Sequence, residues 1–187
     1  MKSIAFVRQA FMTLSCGLLL GLGVQAQPVK EILNGSSLEK GFDMGLDTDT
    51  KQRTWMTKES DAFKLVFPSR QEWAAVFITV GKPKPEGART ATIDLSAYKF
   101  LSIDMKGLTG TEMIEVGIKS NTQPDNGTEV KLPYRLSPEW KTYKIPLEKF
   151  VGGSLKDLKS IYVVTEFVYL GDTAQTIYFK NIKYLDK

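Results

Sequence analysis

Hydrophobic and polar residues alternate along most of this chain. In FLSIDMKG, Leu101, Ile103 and Met105 fall on one side while Ser102, Asp104 and Lys106 fall on the other. In MIEVGIKS, Ile114, Val116 and Ile118 oppose Glu115, Gly117 and Lys119. A period of two is that of a strand with one face in a core and the other in water. Runs rich in β-branched and aromatic residues predict strands at 62–67, 73–80, 98–107, 113–120, 128–136, 141–147, 161–169 and 175–185. The clusters GKPKPEGAR, KGLTGTE, NTQPDNGT and LGDTA separate them with turn-forming residues. Helical turns are expected only near Leu95 to Tyr98 and near Ser154 to Leu158. The pattern predicts an all-β fold of two packed antiparallel sheets, a β-sandwich of jelly-roll type.

The N-terminus follows a different rule. MKSIAFVRQA carries Lys2 and Arg8 and no acid, FMTLSCGLLLGLG is apolar, and Val24-Gln25-Ala26 supplies small residues at a cleavage site. Residues 1–26 therefore read as a signal peptide, and 27–187 as a single secreted or periplasmic domain. The apolar run is shorter than the roughly 20 residues that span a bilayer, so no stable membrane insertion is expected after cleavage. Cleavage would remove Cys16, the only cysteine, and leave the fold to stand on packing without disulfides. It would also remove Lys2 and Arg8, lowering the formal charge from +4 to +2. With its lysines scattered, such a domain is no nucleic-acid binder, and a monomer is expected. The chain has no His. That excludes His-based triads, His-ligated metals and an imidazole base, leaving carboxylate chemistry to any catalytic reading.

The stretch WKTYKIPLEKF, the spacer GGSLKDLKS, the strand IYVVTEFVY and the last strand QTIYFKNIKYL follow DLSAYKFLSIDMKG in order. Over residues 90–187 this succession resembles galactose-binding-domain-like β-sandwiches, in particular family 11-type carbohydrate-binding modules and the intermediate-associated domain of respiratory complex I. The resemblance implies a polysaccharide or oligosaccharide ligand and no organic cofactor. It also implies a structural calcium in many relatives, held near the first strand and by an acid in the last. Here Lys180 stands where that acid is expected, and a cation cannot ligate calcium. Asp43, Asp47 and Asp49 of GFDMGLDTDT are the remaining oxygen candidates, although a solvated turn is the simpler reading of that segment.

Sugar rings stack their C–H faces on aromatic side chains, with polar groups binding the hydroxyls. Candidate platforms are Trp55, Trp73, Tyr134 and Tyr169; Trp73, opening the strand at 73–80, is the strongest, with burial at the sandwich edge as its alternative, and Trp55, in a very polar segment, is expected to be partly exposed. Trp140 is expected in the core. Polar candidates are Asp104, Lys106, Glu115 and Lys119 on the wet faces, Glu166 in the apolar IYVVTEFVY, and Asn121 in the loop SNTQPDNGTEVK. Each charge is also compatible with a plain solvated sheet face. Three functions follow. The first is a noncatalytic glycan-binding protein. The second is a carboxylate glycosidase or lyase, with Glu115 and Glu166 facing one cleft across adjacent strands. The third is an assembly or adhesion subunit whose wet sheet binds another protein.

Overall fold

The structure, a computed structural model, describes residues 29–48, 54–70, 73–82, 91–123, 128–166 and 173–186, with backbone alone for 47–48 and 160–166. Among them, strands alone make regular structure, apart from one 3-10 turn at Leu147–Lys149. The strands are β1 (Val29–Asn34), β2 (Ser37–Leu38), β3 (Phe42–Thr48), β4 (Met56–Glu59), β5 (Ala62–Phe67) and β6 (Trp73–Val80). They continue with β7 (Phe100–Gly107), β8 (Met113–Ser120), β9 (Lys131–Arg135), β10 (Lys141–Pro146), β11 (Leu158–Glu166) and β12 (Gln175–Leu185).

Two antiparallel sheets result. A seven-stranded sheet runs β10-β7-β12-β1-β2, with β5 pairing the first half of β12 and β4 pairing β5. A five-stranded sheet runs β3-β6-β11-β8-β9. The alternation predicts which side chains meet between them. Leu101, Ile103 and Met105 of β7 and Ile177, Phe179 and Tyr184 of β12 pack within one core with Ala74, Val76 and Ile78 of β6 and Ile114, Val116 and Ile118 of β8. This is the predicted all-β sandwich. The strands at 62–67, 73–80, 113–120 and 175–185 match their predicted bounds.

Two expectations change and one holds. The segment GFDMGLDTDT forms β3 through Thr48 where a solvated turn was the simpler reading, because Met44 and Leu46 alternate inward. The start of the domain shows no strand signal in the sequence, yet β1 begins at Val29. Of the expected helical turns, Leu95 to Tyr98 closes with Tyr98 N–H donating to the Leu95 carbonyl at 3.0 Å. Ser154 to Leu158 is a turn leading into β11.

Two local devices fix the sheets. β12 carries a bulge between Lys180 and Lys183, where Asn181 takes φ +50°, a left-handed backbone that Asn tolerates better than most residues. Its side chain is committed on both ends: Oδ1 accepts from Gly35 N–H at 2.8 Å and Nδ2 donates to Asp104 Oδ2 at 2.7 Å. The β7–β8 hairpin closes around Glu112, which is buried. Its carboxylate accepts from the amides of Leu108, Thr109 and Gly110 and from the Thr109 hydroxyl, at 2.8 to 3.0 Å. Burial pushes the Glu112 carboxyl up, but the Thr109 and Gly110 donors outweigh it and hold it below the usual value.

Candidate functional site

The outer face of the five-stranded sheet is built from the positions that alternate with the core. In β6 the buried Ala74, Val76 and Ile78 leave Trp73, Phe77 and Thr79 facing outward, each half-buried. In β8 the buried Ile114, Val116 and Ile118 leave Glu115 on the same side. Register then assembles rows across the strands. Gly45, Phe77, Tyr162 and Gly117 are consecutive partners through β3, β6, β11 and β8. Asp47, Ala75, Val164, Glu115 and Pro133 form the next row, and Trp73 pairs with Glu166 beyond it.

The glycine at the edge of the aromatic row has a specific purpose. A Cβ on Gly45 would lie 2.7 Å from the Phe77 ring, so the ring occupies the volume that a side chain would fill. Phe77 therefore lies down over the β3 backbone instead of standing off the sheet. Phe77 is missing from the sequence candidates, although the parity that exposes Trp73 exposes it as well; a Phe in an apolar strand is read as core by default.

Farther along β8 the face is covered. Lys131 of β9 pairs with Gly117, whose Cβ would lie 3.2 Å from Lys131 Cγ and 3.9 Å from Glu129 Cγ. Lys119, expected on the wet face, is 2% exposed and meets Glu129 at 3.6 Å, with both side chains nearly dry. Asn121 is exposed, and its amide is tied to the Asp157 carbonyl at 3.0 Å. A cleft of about 290 Å³ lined by Tyr98, Phe100, Pro146 and Leu155 opens instead along the β10 edge of the other sheet.

The remaining candidates separate from this face. Asp104 and Lys106 lie on β7, on the outward side of the seven-stranded sheet. Asp104 is held by the Thr142 hydroxyl at 2.6 Å and by Asn181, so both its oxygens are engaged. Trp140, expected in the core, is 37% exposed and also lies on this side. Trp55 packs edge-on against Phe67 at 6.4 Å, beside the core. Tyr134 packs edge-on against Tyr143, and burial pushes its phenol up. Tyr169 and Asp49 lie outside the described residues.

A structural calcium does not fit the last strand. Lys180 donates to Asp61 there, supplying a cation where the resemblance would put an acidic ligand. Asp43 and Asp47 sit four residues apart on β3, about 13 Å along an extended strand. Among the described residues no three acidic, Cys or His side chains gather as a metal site requires. Glu115 and Glu166 do sit on adjacent strands, with Glu166 two residues beyond the Val164 that faces Glu115.

The comparisons with known proteins agree with this frame. The model of carbohydrate binding domain 30 matches residues 30–186. The chain belongs to that family. No curated protein matches it in sequence. A family 30 carbohydrate-binding module of a cellulosomal cellulase from Clostridium thermocellum aligns with TM-score 0.59 at 16% identity, covering 86% of this chain and 98% of that one. A family 11 module from the same organism, in complex with a β-1,3-1,4-mixed-linked tetrasaccharide, aligns with TM-score 0.54 at 16% identity, covering 86% and 97%. A family 29 module variant complexed with cellulohexaose aligns with TM-score 0.56 at 13% identity, covering 86% and 92%. Those likenesses establish the fold. Family 30 membership gives carbohydrate binding as the class of activity.

Proposed function

We propose that this family 30 domain is exported and holds a β-linked glucan chain across the outer face of its five-stranded sheet. Phe77 and Trp73 form the platform, and Glu115 and Asp43 bind hydroxyl groups beside it. The observation that carries the reading is the Phe77 ring laid over Gly45. A ring lying along the sheet offers its π face to the C–H face of a pyranose, whereas an upright ring would offer an edge. Trp73 lies two strand steps along the same face of β6, about 13 Å away, a span matched to a chain of sugars rather than to one. Similarity to modules whose structures contain cellulohexaose and a mixed-linked tetrasaccharide supports a β-glucan as the ligand. Export is supported by the basic, apolar and small-residue sequence of residues 1–26.

The test is native affinity electrophoresis in gels containing cellulose derivatives, mixed-linked β-glucan, xylan, mannan, β-1,3-glucan or chitin derivatives. Retardation by a β-glucan, weakened about tenfold or more by Phe77→Ala, is the expected result. A protein that migrates freely through every one of these gels would remove the reading.

A further inference from the structure

The outward side of the seven-stranded sheet carries a second constellation. Register aligns Lys64 of β5, Tyr178 of β12 and Lys106 of β7 in one row. Extending the β10–β7 pairing one residue before Lys141 sets Trp140 at the end of that row. The indole reaches across β7 toward β12: its centroid lies 6.5 Å from the Tyr178 ring at 66°, and Lys180 Nζ lies 4.5 Å from it. Lys106 Nζ sits 5.4 Å from the Trp140 centroid and 4.7 Å from that of Tyr178. Lys64 Nζ approaches Tyr178 at 5.8 Å.

Lys106 is the ammonium of this cluster that has no ion pair among the described residues. Lys64 is met by Glu59 at 3.0 Å, and Lys180 by Asp61. The Lys106 ammonium faces the Trp140 and Tyr178 rings, with no carboxylate in ion-pair range among the described residues. Lys106 and Lys180 thus converge on one exposed indole, with Asp61 on Lys180 and with Asp104, the register partner of Lys180, spending both oxygens on Thr142 and Asn181. A carboxylate set between Lys106 and Lys180 would relieve their repulsion and make charge-assisted hydrogen bonds. The same ligand needs a flat apolar face to lie against Trp140 and Tyr178. A carboxylated pyranose has both.

We propose that the Trp140, Tyr178, Lys106 and Lys180 surface is a second glycan site, which takes an acidic polysaccharide built of uronic acids. A neutral glucan would use the rings and leave the ammonium groups unanswered. A polyanion without sugar rings would use the ammonium groups and leave the rings idle. Because this surface and the Phe77 surface lie on opposite sheets, one domain can hold two chemically different glycans together.

The experiment is native affinity electrophoresis of the protein in gels of polygalacturonate, of the same galacturonan highly methyl-esterified, and of polyglutamate. The expected result is retardation by polygalacturonate that weakens about tenfold on esterification, exceeds that by polyglutamate, and persists with saturating neutral β-glucan oligosaccharide present. Trp140→Ala and Lys106→Gln are each expected to weaken it about tenfold. Lys106→Gln keeps the stem packed on the sheet, and thermal melting of both variants checks that the fold is intact. Free migration in polygalacturonate, equal retardation by the ester or by polyglutamate, or folded variants that bind like the parent would each overturn the proposal. Neutral glucans are measured in separate gels, so failure at one face does not decide the other.

Discussion

At the scale of single residues, the informative groups are those whose surroundings reverse what their type implies. Glu112 is a buried carboxylate kept ionised by three amides and a hydroxyl. Because its pKa is lowered in the fold, its stabilisation is full above the ordinary value of 4.5 and is lost as pH falls through the lowered value. Glu112→Gln turns one acceptor oxygen into a donor that faces backbone N–H groups. It is expected to cost about 1 to 3 kcal/mol in urea unfolding at neutral pH, and to flatten the acid limb of the stability profile. Lys119 and Glu129 make a second test. Lys119→Met leaves Glu129 buried without its cation, at a cost of about 3 to 5 kcal/mol, whereas adding Glu129→Leu should recover most of it. A double variant no more stable than the single would show that the pair is not what holds that loop down.

At the scale of elements, the sequence is legible where alternation is long and breaks down where a neighbour from elsewhere intervenes. The strands around Leu101 to Met105 and Ile114 to Ile118 show at sight because three apolar residues in a row share one parity. β4 shows nothing, since MTKE is a short edge strand with three exposed positions and no buried face to impose a pattern. Trp140 was misplaced by its size. Parity in β10 buries Ile145 and leaves Thr142 and Lys144 outward, and carrying the same count back places Trp140 with them. Lys119 has outward parity too, yet it is covered by a loop that no local pattern reveals. The bulge in β12 is similarly silent, because it depends on Gly35 and Asp104, which are distant in sequence. Asn181→Ala strains a residue at φ +50° and leaves two half-buried partners without their hydrogen bonds, so a loss of about 1 to 3 kcal/mol is expected in thermal or urea unfolding. The pairing of β3 beside β6 gives the element-scale prediction for the site. Gly45→Val pushes the Phe77 ring off the β3 backbone and should weaken glucan binding about tenfold while the aromatic residue remains in the chain.

At the scale of the whole molecule, the sandwich separates two surfaces that the sequence presents as one list of polar and aromatic candidates. Trp73, Phe77 and Glu115 share the five-stranded face, and Asp104, Lys106 and Trp140 share the seven-stranded one. Family 30 membership fixes carbohydrate binding as the class, and the two surfaces divide the chemistry within it. The most direct test is isothermal titration of the protein with cellohexaose and a mixed-linked β-glucan oligosaccharide, beside Phe77→Ala and Gly45→Val. Binding by the parent, with both variants folded and weakened about tenfold or more, is the predicted result. Parent-like affinity in both folded variants would contradict the central claim that the glucan lies on the Phe77 face.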